Sequence, residues 1–152
     1  MSDRIYVKYD DIVKNESKVI EYLSTRADFF SVIAVIKKPY LQMPPVFNYD
    51  SQLRPFVKDY LFDRSDWPVD FFGRSKHQIM VVCRCCKESR EELLRMPNLF
   101  LPIDNDMPED ICFYRNGVLL FGTVSHEKIA FFSNVESSEV FSFKENCMKS
   151  CN

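Results

Sequence analysis

Three groups of residues in this 152-residue chain have the types and spacing that chemistry uses. The first is VVCRCCKESREELL, in which Cys83 and Cys86 form a C-x-x-C pair with Cys85 between them. The apolar run before it and the charged amphipathic run after it place the pair at a strand-to-helix junction. A helix N-terminus there favours thiolate over thiol, and the thiolate is the nucleophile in redox exchange. A thioredoxin placement fits poorly: the pair lies past the midpoint, the Trp usual directly before the first Cys is absent, and too few residues separate it from DICFYRNGVLL.

The same two cysteines also form a candidate Cys₄ zinc set with Cys147 and Cys151, because structural zinc takes thiolates closely spaced within each pair. The C-x-x-x-C spacing of the second pair is unusual for such sites, and it sits where chain ends fray. Against both readings stands a plain one, with Cys83 and Cys112 as small core residues and Cys147 and Cys151 on a tail.

The second group is Ser125, His126 and Glu127 in CFYRNGVLLFGTVSHEKIAFF. Nucleophilic catalysis needs a base that reaches the nucleophile across space and a third group that orients the base. Neighbours in a tight turn diverge, so this trio reads as a hairpin turn; a hydrolase using His126 or His77 ranks last among the functional readings.

The third group is acidic. Asp59, Asp63, Asp66 and Asp70 surround Trp67, and Asp104, Asp106, Glu109 and Asp110 crowd one polar loop. The twelve-residue calcium loop, with its central Gly and terminal Glu, is missing. A docking surface for a basic partner is the sharper alternative to a merely solvated surface. Under it Asp59, Asp63, Asp66, Trp67, Asp104, Asp106, Glu109 and Asp110 make the contact, with Trp67, Tyr60 and Phe71 as aromatic anchors.

The elements that must position these groups follow from periodicity. Ile12, Val19, Ile20 and Leu23 share one helical face, predicting a helix over 11–25. SVIAVIKK, 31–38, is apolar on both parities and predicts a central strand ended by Pro39. PYLQMPPVFNYD is an irregular connection, and Leu53, Phe56, Val57, Tyr60 and Leu61 at helical offsets predict a second helix over 52–62. HQIMVVCRC, 77–85, predicts a strand; KESREELLRM, a short helix before Pro97; NLFLPI, a brief strand; DNDMPED, a loop.

Asn116-Gly117 is the two-residue hairpin dipeptide, because both central positions of a type I′ turn need positive φ. Strands of 111–115 and 118–124 follow, pairing Arg115 with Val118, Tyr114 with Leu119, Phe113 with Leu120, Cys112 with Phe121 and Ile111 with Gly122. Ser125–Lys128 is a second turn and IAFFS a third strand, while ESSEVFSFKENCMKSCN is ambiguous between strand and helix. The expected fold is one α+β domain over 1–152. It has a mixed or largely antiparallel sheet of about five strands, a C-terminal hairpin meander, and three or four packed helices.

Composition bounds function. The chain is 46% hydrophobic, 14% aromatic and 28% charged, which argues for a packed core. A net charge of −2 supplies no surplus of Lys and Arg for nucleic acid. Three glycines, Gly73, Gly117 and Gly122, exclude a phosphate-cradling loop. MSDRIYVKYDD lacks the apolar centre of a secretion signal, and no apolar run approaches a membrane span, so a cytoplasmic location without a membrane partner is expected.

The favoured expectation is a non-enzymatic protein-binding module, monomer or homodimer, that takes no cofactor or metal. Its partner is another protein, a basic one in the sharper form. Small acidic α+β chains of this style include antitoxin and toxin-immunity proteins, which occlude a toxin's active site. The alternative is a thiol-dependent redox or zinc-binding protein built on Cys83 and Cys86.

Overall fold

The computed structural model describes residues 4–35, 50–61, 78–96, 99–100 and 109–148. The elements run β1 (Ile5–Val7), α1 (Tyr9–Lys14), α2 (Glu16–Arg26), β2 (Phe29–Val35), α3 (Asp50–Leu53), a 3₁₀ turn (Arg54–Phe56), β3 (Val57–Leu61), β4 (Gln78–Arg84), α4 (Lys87–Arg95), β5 (Glu109–Arg115), β6 (Val118–Val124), a 3₁₀ turn (Ser125–Glu127), β7 (Ile129–Phe132) and α5 (Ser137–Cys147). The seven strands form one sheet in the order β1-β7-β6-β5-β2-β4-β3, every pair antiparallel. The α+β expectation holds; the strand count exceeds the expected five.

Two strands account for the difference. β1 has three residues, too few for a detectable alternation, and is held by pairing Ile5 with Phe132 and Val7 with Ala130. β3 occupies the C-terminal half of the stretch expected to be a helix over 52–62. Leu53 does end a helical turn, but after Pro55 the β-favouring Val57 and Tyr60 pair with Cys83 and Val81 on β4. Ladder hydrogen bonds with an otherwise open strand outcompete an isolated two-turn helix, whose nucleation is costly.

The first predicted helix is two helices. Asn15 ends α1 by donating its Nδ2 to the Asp11 carbonyl at 2.8 Å, the backbone-competing role to which short amides are suited, and stands at the first position before α2. Ile12, Val19, Ile20 and Leu23 are nevertheless all buried, as their spacing required. Leu99 and Phe100 lie in a turn where a strand was expected, and the ambiguous C-terminal stretch is helical, burying Val140, Phe143 and Cys147.

All the helices contribute to one apolar cluster on one sheet face; the opposite face carries a smaller cluster of Ile33, Met80, Cys112, Leu119, Val124 and Phe131, with no helical member. The helical side centres on aromatics: Phe132 lies 4.8 Å from Phe143 and 4.9 Å from Phe121, ring centroid to centroid, and Tyr22 meets Phe143 edge-on at 5.4 Å. Such tilted pairs add to area burial.

The β5–β6 hairpin turns at Asn116-Gly117 with φ of 54° and 80°, as expected, and pairs Arg115 with Val118 and Tyr114 with Leu119. The register then slips by one, so Phe113 faces Phe121. The expected Phe113–Leu120, Cys112–Phe121 and Ile111–Gly122 pairs therefore do not form. A bulge lets successive Leu120 and Phe121 both enter the helical-side core, which strict alternation forbids. Gly122 then faces Phe131, whose ring sits where a Cβ would be, 2.7 Å away.

Candidate functional site

The two ends of the sheet differ. At one end the link from β7 to α5 takes four residues, 133–136, and three connections take two residues each, Ala27-Asp28, Cys85-Cys86 and Asn116-Gly117. Asp28 ties these turns together: its N–H donates to the Tyr114 carbonyl, its carbonyl accepts from Cys85 N–H, and its carboxylate accepts from Asn116 N–H, at 2.8, 2.9 and 2.8 Å. Beside it Arg115 grips Glu139 of α5 with two parallel bonds of 2.7 and 2.8 Å.

The C-x-x-C belongs to this closed end. Cys83 lies in the sheet, wholly buried in the helical-side core; Cys86 is the half-buried N-cap of α4, its N–H donating to Ser89 Oγ at 2.9 Å. Burial pushes the Cys83 and Cys85 thiols up to about 12, and those of Cys112 and Cys147 up to about 11. In these four desolvation opposes the thiolate that redox exchange needs. Cys147 donates its thiol to the Lys18 carbonyl, and Cys151 lies outside the described residues. Among the described residues no three His, Cys, Asp or Glu side chains converge as a metal site.

At the other end lie the last described residues of β2 and β3, Val35 and Leu61, and the first of β4 and β5, Gln78 and Glu109. Leu61, Met80, Ile33 and Glu109 form one row across β3, β4, β2 and β5. The β6–β7 turn carrying Ser125 and His126 closes at this same end. His126 Nε2 sits 2.7 Å from Glu109 Oε2, with the imidazole 56% and the carboxylate 14% exposed. Asp110, by contrast, is 1% exposed, accepts the Ser125 N–H at 2.6 Å, and donates its own N–H to Ser125 Oγ at 3.3 Å. Its φ of 55° is unusual outside glycine and is held by this reciprocal clasp.

The acidic group identified in sequence thus divides. Asp59 is exposed on edge strand β3; Glu109 is paired at the open end; Asp110 is buried framework and offers no carboxylate to a partner. Asp63, Asp66, Trp67, Asp104 and Asp106 lie outside the described residues, as do Asp70, Phe71 and His77. Ser125 and His126 do not form a nucleophile–base pair: Ser125 binds Asp110, while His126 turns to Glu109.

Two participants carried no sequence signal. Tyr9 donates its hydroxyl to the Phe100 carbonyl, and burial pushes that phenol up, opposed by a hydrogen bond with Ser125. Glu16, in the first turn of α2, accepts the Phe100 N–H at 3.2 Å, and burial raises its carboxyl above the ordinary range. Both reach this end only because β1 pairs with β7, a contact more than a hundred residues apart in sequence.

The chain matches no protein-family model, no curated protein and no solved structure. The geometry alone therefore carries the functional reading.

Proposed function

We infer that the chain is a protein-binding module whose contact surface is the open end of its sheet and whose partner is a basic protein. The observation that carries this reading is the row Leu61–Met80–Ile33–Glu109. The segment bearing Asp63, Asp66 and Trp67 departs from Leu61, and the segment bearing Asp104 and Asp106 arrives at Glu109. Three strand spacings, about 14 Å, separate those two points. Two acidic stretches, one within a few residues of Leu61 and the other of Glu109 in sequence, thus join strands at the same end of the sheet, with Asp59 two residues before Leu61.

Long connections set on a rigid scaffold are where proteins place recognition, whereas tight turns serve the fold. A focused negative potential speeds encounter with a positive surface. The specific form of the proposal is an inhibitor that covers the active site of a basic partner, the strategy of antitoxin and toxin-immunity proteins.

The test is the association rate of the captured partner with the wild type and with a variant carrying Lys at Asp59, Asp63, Asp66, Asp104 and Asp106. A fall of about tenfold or more at low salt, shrinking as ionic strength rises, is expected. An unchanged rate at low salt contradicts the electrostatic surface.

A further inference from the structure

On the sheet face without helices, the smaller apolar cluster is fully buried at Ile33, Met80, Cys112 and Phe131. One corner is different. Phe29, Leu61, Val82 and Tyr114 are only half-buried there, and with Met80 and Leu119 they wall a depression of about 300 Å³ that opens to solvent. Its floor is apolar apart from the Tyr114 hydroxyl, which is already bonded to buried Ser31 Oγ at 2.6 Å.

Among the described residues that line this depression one carries a charge. Lys58 is exposed at the rim, with its Nζ 4.2 Å from the centroid of the Phe29 ring. It sits at the β3 irregularity between Val57 and Asp59, where the strand slips register against β4. The neighbouring Asp59 does not line the depression, and its Oδ1 accepts the Tyr60 N–H at 2.8 Å. The Lys58 ammonium, by contrast, rests on a ring face.

We propose that this depression is a binding site for a small amphipathic carboxylic acid, with the apolar body seated between Phe29, Leu61, Val82 and Leu119 and the carboxylate on Lys58. An apolar hollow with one convergent polar group is the usual composition of small-ligand sites, and this volume is at the small end of their range, which suits a single ring or a short alkyl chain. The cation selects the headgroup. An amine would meet repulsion, and an alcohol would forgo the charge-assisted bond. This site lies on a sheet face; it shares Leu61 and Met80 with the row described above but takes none of the acids proposed there as contacts.

The probes are octanoate, phenylacetate, octanol and octylamine, titrated into the whole protein while the Met80 methyl and Tyr114 ring resonances are followed by NMR. Saturable shifts with the two carboxylates are expected, with octylamine at least about tenfold weaker. Lys58→Glu, an exposed change that leaves the core intact, should reverse the preference towards octylamine, and Val82→Phe, which fills the hollow, should abolish both. Circular dichroism confirms that each variant is folded. No saturable shift with either carboxylate overturns the proposal, as does equal binding of all four probes or unchanged carboxylate affinity in Lys58→Glu.

Discussion

The two ends of the sheet hold the same kinds of residue and use them differently. At the closed end, Asp28, Cys85 and Cys86 sit in two-residue turns and Arg115 borders a third, and their polar atoms bind other parts of the chain: Asp28 joins its own turn to the two others, and Arg115 grips the first turn of α5. At the open end, one acidic residue, Asp110, is absorbed into the fold, while Asp59 remains exposed beside the long segments. Chemically suggestive residues in tight turns are thus framework, and the proposed contact acids are those attached to long connections.

The largest effect should come from pH, because three buried thiols and the half-buried Cys85 act together. Their folded pKa values, about 11 to 12, are raised above the unfolded value of roughly 8.5. A raised folded pKa gives stability that is complete below the unfolded pKa and is lost as pH rises towards the folded one. The melting temperature should therefore fall steadily above about pH 8.5, and Cys83→Val should flatten that slope. A melting temperature constant to pH 10.5 would break the view of the closed-end cysteines as framework.

Next in size is Asp110→Ala. It removes a buried carboxylate that accepts the Ser125 N–H at 2.6 Å and should cost about 2–3 kcal/mol in denaturant unfolding. Asp110→Asn, which keeps one acceptor and tolerates positive φ, should recover about half. If Asp110→Ala were as stable as wild type, Asp110 would belong with the exposed acids and the division of the open end would fail.

Arg115→Ala should cost about 1 kcal/mol, since the Glu139 pair is bidentate but about a quarter exposed on each side. Arg115 holds the Glu139 carboxyl below its usual range. That contribution is present above the unfolded carboxyl pKa of about 4.3 and is lost as pH falls through the lower folded value. An acid melt in which wild type and Glu139→Gln converge below pH 4 checks the sign. Smallest of all, Asp59→Lys should change stability by no more than about 0.5 kcal/mol, because it alters an exposed edge-strand side chain.

Much of this division was legible in sequence where local chemistry decides. Asn116-Gly117 required its turn, and KESREELLR its helix. What escaped depended on distant partners. Val57–Leu61 became a strand because β4 offered a ladder; Leu120 and Phe121 share a core face because a bulge re-aimed the strand; Asp110 left the surface because Ser125, fifteen residues on, supplied both halves of a clasp. The β4 ladder and Ser125 lie outside a window of ten residues, and the bulge, though inside one, is a register slip that the Asn-Gly turn does not announce. The C-x-x-C was found where expected, at a strand-to-helix junction, but spacing carries no information about desolvation, which raises the Cys83 and Cys85 thiols.

The most direct measurement is a pair of native mass spectra in chelator-free, low-salt buffer. One is of the wild type and the other of the Asp59, Asp63, Asp66, Asp104 and Asp106→Lys variant, each affinity-purified from the protein's own source. The account predicts added mass equal to a basic polypeptide on the wild type and its loss from the variant. Polypeptide mass retained on the variant, or a bare chain in both spectra, would contradict it.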